Sequence, residues 1–140
     1  MQRSKTKGAF WLIISICISF SIFGFSSQNS VESGSLSLKL ANLLLPFLEI
    51  DVAHFLIRKL AHFTIYACLG FSFYRSLAFF FGRKPSLFWF CWLFIILYAG
   101  LDEYHQTFVS GRSGELRDVC IDSCGGLLGT SLSFWLKKLF

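Results

Sequence analysis

The chain has 140 residues, one domain's worth, of which 54% are hydrophobic and 15% charged, with 18 Phe and 4 Trp. A soluble domain carries about 25% charged residues, and Phe gathered in runs such as 79–81 does not fit inside a small water-soluble core; an integral membrane protein is the expectation. The net charge of +5 gathers at helix ends rather than along one face, which argues against nucleic acid as a partner.

Taken in order, Arg3, Lys5 and Lys7 precede an apolar run from Gly8 to Phe25. Its length, about 18 residues, is close to the ~20 that a spanning helix needs and longer than a usual signal core, so a retained first span over 8–26 is expected. Residues 26–34 are polar and turn-rich and read as a loop. The next stretch places Leu36, Leu40, Leu43, Leu44 and Phe47 on one helix face. Pro46, Glu49 and Asp51 interrupt it, so it reads as an amphipathic helix lying in the membrane interface. A second span over 56–81 opens with Arg58, Lys59 and His62. A third, over 86–104, follows the basic turn Gly82-Arg83-Lys84-Pro85. A fourth, over 116–138, ends in Lys137 and Lys138. The expected fold is therefore all-α, a polytopic bundle of four transmembrane helices plus the interfacial helix, in one domain.

Charge placement orients this bundle. With the N-terminus inside, the inner side receives Arg3, Lys5, Lys7, Arg75, Arg83, Lys84, Lys137 and Lys138, which is 8 of the 13 basic residues and no acidic one. The positive-inside rule then puts both termini in the cytoplasm. All 8 acidic residues and all 3 His fall on the outer side. The five cysteines, an odd number, lie in apolar segments and read as small buried side chains. Trp11, Trp89, Trp92 and Trp135 read as interfacial or lipid-facing residues.

The polar stretch from Asp102 to Asp118 carries the chemistry. Ionisable groups at a helix mouth are costly to place there and mark a functional site by default. On the fourth span, Asp118, Asp122, Gly125, Gly126 and Gly129 recur at helical spacing, and the glycines make a face that another helix approaches closely. The two carboxylates on that face need cationic partners. Lys59 and His62 offer them; Tyr66 shares their face. Asp102 and Glu103, adjacent on a helix, are expected to point in different directions. The loop from Val109 to Gly114 reads either as an anion-binding nest with Arg112 supplying a fork or as a turn whose Arg112 pairs with Asp102 or Glu103. His62 and Glu103 are candidates for acid–base catalysis. His62, His105, Glu103 and Asp118 are of metal-ligand type, but no H-E-x-x-H or close His pair occurs, so no metal and no cofactor is assigned. Two readings stand beside each other: side-chain pairs that merely lock the helices, and a polar pocket formed by Lys59, His62, Tyr66, Asp102, Glu103, Gln106, Arg112, Asp118 and Asp122.

Several segments together resemble the VanZ-like membrane proteins. Phe25-Ser26-Ser27-Gln28 is similar to the family's segment after its first helix. Lys59-Leu60-Ala61-His62-Phe63, with Tyr66 and Leu69-Gly70, is similar to its K-x-x-H-F-x-x-Y-x-x-L-G pattern. Asp102-Glu103, Gln106, Phe108, Gly111-Arg112 and Arg117-Asp118 resemble its D-E-x-x-Q-x-F-x-x-G-R signature and trailing R-D; Asp122 with Gly125-Gly126 and Gly129 completes it. Ser110 stands where the family has proline. The resemblance implies a multi-pass protein of the bacterial cell membrane, associated with low-level resistance to teicoplanin, a lipoglycopeptide. The partners it implies are membrane lipids and a lipid-linked wall precursor or lipoglycopeptide at the outer surface. An enzyme modifying such a headgroup, and a structural partner with no ligand, are the competing expectations.

Overall fold

The computed structural model describes residues 2–28 and 30–136, with side chains left undescribed at 2–4, 30–33 and 36. The expectations that fall on Arg3, Leu36, Lys137 and Lys138 lie outside what is described, as does the end of the fourth span. Among the described residues there are five α-helices and no strand: α1 (Gln2–Ser26), α2 (Ser30–Leu44), α3 (Ile50–Phe81), α4 (Pro85–Gln106) and α5 (Leu116–Trp135). Helices are forced by the setting, because a hydrocarbon surround offers backbone groups no other partner.

Three of these helices are long and apolar enough to cross a membrane: 5–26, 50–81 and 85–106. Helix α5 is not among them, since Arg117, Asp118 and Asp122 charge its first two turns and Gly and Ser dilute its apolar character. Its 20 residues nevertheless pack along α3 and α4. Exposed Phe, Leu, Ile and Trp cover the outside of the bundle, among them Phe20, Trp89, Leu97 and Leu101. The interior mixes apolar side chains such as Tyr66, Leu69 and Ile95 with polar ones, Ser72, Arg75, Ser76, Thr130 and Ser133 among them. Helix association in lipid relies on such side chains rather than on apolar burial.

Two expected boundaries shift. Helix α2 begins at Ser30, inside the stretch expected to be a loop. The reason is tertiary: α2 packs on α3, with Ala41 fully buried, and local turn composition does not register that contact. Helix α3 begins at Ile50 rather than at 56, with Asp51 in its first turn, where a negative charge suits the helix dipole. Its 32 residues extend about 48 Å at 1.5 Å per residue, well beyond a hydrocarbon core of about 30 Å. The cysteines also depart from expectation. Cys91 is buried, whereas Cys17, Cys68, Cys120 and Cys124 are exposed, all of them free thiols. A surface that meets lipid exerts no force to turn a thiol inward. Trp92 is more than an interfacial residue, for its indole N–H donates to the Ser123 carbonyl at 3.2 Å and ties α4 to α5.

Helix α3 is the centre of the bundle, in contact with all four other helices. Its contact with α5 is backbone against backbone. A methyl group at Gly125 would overlap the Phe63 carbonyl, one at Gly129 the Ala67 carbonyl, and one at Gly70 the Gly126 carbonyl. Residues 63 and 67 meet 125 and 129 in the same sense, so the two helices run parallel. Helix α1 runs the other way along α3, with the Ser76 hydroxyl donating to the Gly8 carbonyl at 3.0 Å and the Ser15 hydroxyl to Ser72 at 3.1 Å. The Tyr98 hydroxyl donates to the Ser19 carbonyl at 2.8 Å and joins α4 to α1.

Gly129→Val should destabilise the fold by about 1–3 kcal/mol, the usual cost of overpacking. Gly100→Ala, whose new methyl meets nothing within 4 Å, should change it by less than about 0.5 kcal/mol. Equilibrium unfolding in detergent measures both; equal effects would show that the close contact does not carry the packing.

Candidate functional site

The parallel register of α3 and α5 decides which polar side chains meet. With 63 against 125, the turns before each glycine bring 59 and 62 beside 118 and 122. Lys59 Nζ donates to Asp118 Oδ1, and His62 Nδ1 lies 3.5 Å from Asp122 Oδ2. Both expected interhelical pairs therefore form. Asp122 is fully buried and Asp118 nearly so.

Helix α4 adds its last turn. Asp102, Glu103 and Gln106 are all buried. The two acids do not diverge as expected. Gln106 follows Asp102 by four residues and Glu103 by three, and both spacings make side chains neighbours on a helix. Its amide nitrogen donates to Asp102 Oδ2 at 3.2 Å and to Glu103 Oε1 at 3.0 Å. The amide oxygen of Gln106 accepts from Arg112 Nη1 at 3.2 Å. Arg112 Nη2 donates to the Phe25 carbonyl at 3.2 Å, reaching α1.

Of the two readings of the 109–114 loop, the direct pairing of Arg112 with Asp102 or Glu103 does not form. Gly111 adopts φ 74°, which its lack of Cβ permits, and Gly114 passes so close to α4 that a methyl there would press on the Glu103 carbonyl. The start of α5, however, is occupied from within: Glu103 Oε2 accepts the Glu115 N–H at 2.9 Å. Arg112 reaches the acids only through Gln106, and no carboxylate pairs with it among the described residues. Burial, and then the like charge of Arg58, lower its pKa from the ordinary value, while Asp102 and Glu103 act in the opposite sense. A guanidinium remains protonated regardless.

Tyr66 is fully buried, one turn beyond His62, and its hydroxyl has no hydrogen-bond partner. His105 stands apart from the cluster. It stacks on Phe23 at 4.6 Å and meets the Ser27 hydroxyl at 3.2 Å. Of the four residues singled out as metal-ligand types, His62 and Glu103 come together, joined by Asp122 rather than by Asp118 or His105.

Two cavities flank these side chains. One, of about 340 Å³, is polar and is bordered by Arg58, Lys59, Gln106, Arg112, Arg117 and Asp118. The other, of about 210 Å³, is mostly apolar, bordered by Ile22, Phe25, Leu40, Ile57 and Ile65, with His62 and Tyr66 at its wall. Arg58 borders both. Arg58 stands outside the expected pocket residues and joins them here. The signal was present, since 58, 62 and 66 follow at four-residue intervals and share a face.

A bundle of apolar helices whose acidic side chains gather at one end defines a polytopic helical membrane protein. Over residues 10–137 the chain matches the VanZ/LLP1 family and belongs to it. No curated protein and no solved structure matches it.

Removing one member of the partly buried Lys59–Asp118 pair strands the other charge. Lys59→Met and Asp118→Leu should each destabilise by about 3 kcal/mol, and the double substitution by less than their sum. A double-mutant cycle in detergent unfolding checks this; strict additivity would mean the two groups do not interact.

Proposed function

We propose that this protein binds the anionic headgroup of an amphiphile of the cell envelope, with the headgroup in the polar cavity and the apolar part in the adjoining slot. The single observation that carries the reading is the pair Arg58 and Arg112. They border the same cavity, the charge of Arg58 helps lower the Arg112 pKa, and among the described residues neither is ion-paired with a carboxylate. Asp51, Glu115 and Asp118 border the cavity too, but among the described residues none of them is ion-paired with either arginine; two such cations suit an anion, and a guanidinium fork suits phosphate or carboxylate. Lys59 and Arg117 border the cavity as well, but each already has an acid, Asp118 and Glu115. The apolar slot that Arg58 shares accounts for the amphiphile. Lipid-linked wall precursors and lipoglycopeptides both join a polar head to an acyl or prenyl chain. A site of this kind would account for the link between VanZ-like proteins and teicoplanin resistance.

A dodecyl phosphate added to the detergent-purified protein should bind, and Arg58→Gln and Arg112→Gln should each weaken it about tenfold, the equivalent of ~1.4 kcal/mol. Dodecyl maltoside, which lacks the charge, should not compete. Native mass spectrometry or calorimetry reads the result. Equal affinity in wild type and both variants would remove the two arginines from any binding role.

The same reading requires the polar end to face away from the cytoplasm, with both termini inside, as the positive-inside rule orders the basic residues. Ser113→Cys, placed in the exposed loop of a chain whose native cysteines are replaced by alanine, should react in intact cells with a membrane-impermeant maleimide. Labelling only after the cells are opened would reverse the orientation.

A further inference from the structure

We infer that His62, Glu103 and Asp122 form a binding site for one divalent first-row cation such as Zn²⁺ or Mn²⁺. Each offers one ligand atom, and the three atoms lie within 4.8 Å of one another. They come from three different helices, α3, α4 and α5. An imidazole nitrogen with two carboxylate oxygens is a donor set that such cations take.

Four observations point to a cation. The first is distance. His62 Nδ1 and Asp122 Oδ2 are 3.5 Å apart, long for a hydrogen bond to a carboxylate. Two ligands on a tetrahedral cation with bonds of about 2.1 Å stand about 3.4 Å apart. The second is charge. Asp102, Glu103 and Asp122 are all buried, and among the described residues no Lys or Arg forms an ion pair with any of them; His62 alone faces Asp122. Buried carboxylates without countercharge are costly, and a bound cation is often the largest local charge that corrects this. The third is an unused acceptor: Asp122 Oδ1 is buried with no hydrogen-bond partner. The fourth is Tyr66. Its hydroxyl is buried without a partner and lies within electrostatic reach of Asp102, Asp122 and Glu103. Outer hydrogen-bonding groups of this sort orient ligands or a metal-bound water.

The second carboxylate oxygen of Glu103 is held by the Glu115 N–H, and its first by Gln106. Each oxygen keeps a lone pair for a cation, and the contacts fix the carboxylate's orientation. Three protein ligands leave a coordination position open, which distinguishes catalytic from structural zinc sites. His62 also borders the apolar cavity, so such a position is reachable by what enters there. The site uses neither Arg58 nor Arg112. Its failure therefore leaves the headgroup reading standing, and the reverse also holds.

The test uses the full-length protein in detergent, stripped with EDTA and passed through a desalting column. Zn²⁺ or Mn²⁺ alone is then titrated, and bound metal is counted by inductively coupled plasma mass spectrometry. One ion per chain is expected, with a rise in thermal stability. Affinity should fall at least tenfold in His62→Gln and in Asp122→Asn, each checked for native helicity and monodispersity. Less than about a tenth of an ion per chain, or unchanged binding in both folded variants, overturns the site. X-ray absorption of the zinc-loaded wild type does not depend on any variant folding. It should show nitrogen and oxygen ligands with one imidazole and no sulfur. A sulfur ligand would place the ion on the cysteines and overturn the proposal.

Discussion

Everything at the polar end depends on how closely α3 and α5 approach. Gly70, Gly125 and Gly129 remove the side chains that would hold the two backbones apart, while Gly126 makes room for Ile95 of α4. In lipid there is no hydrophobic force between helices, so close backbone packing and interhelical polar contacts must hold the bundle. The glycine contact also fixes an axial register. Once Phe63 lies against Gly125 and Ala67 against Gly129, Lys59 meets Asp118 and His62 meets Asp122. A shift of one turn, about 5.4 Å, would part Asp118 from Lys59 and Asp122 from His62.

The polar end has two layers with different electrostatics. The rim carries Arg58, Lys59, Arg112 and Arg117, and cations there exceed what the local acids neutralise. Beneath it lie Asp102, Glu103 and Asp122, where acids exceed the cations. Gln106 couples the layers by donating to both acids and accepting from Arg112. The proposed anion site draws on the first layer and the proposed cation site on the second.

Much of the fold could be read in the sequence because membrane insertion acts on local composition. Three apolar stretches of spanning length, the basic turn at Gly82–Pro85 and the amphipathic α2 were all visible as runs and periods. So was the α3–α5 pairing, since small residues and acids recurring at helical spacing name the face and the partners it requires. Less of the site was legible. Arg58, one residue from Lys59, is not set apart from it by the sequence, because only the tertiary structure shows that Lys59 is taken by Asp118 while Arg58 has no such acid among the described residues. The convergence of Asp102 and Glu103 is not visible in their adjacency, because Gln106 bridges them.

The sequence alone thus determined the class of protein, the family and the residues that had to be paired. Hydropathy, charge placement and spacing are one-dimensional properties, and the bilayer converts them directly into spans. The tertiary structure alone decided which of those residues share a ligand. His62, Glu103 and Asp122 are separated by 41 and 19 positions in the chain, and helical period carries no information across such gaps. The axial register set by the glycines brings His62 and Asp122 together, and α4 adds Glu103, so that the three ligand atoms lie within 4.8 Å of one another, while His105, two residues from Glu103, lies on another face of α4 against Phe23.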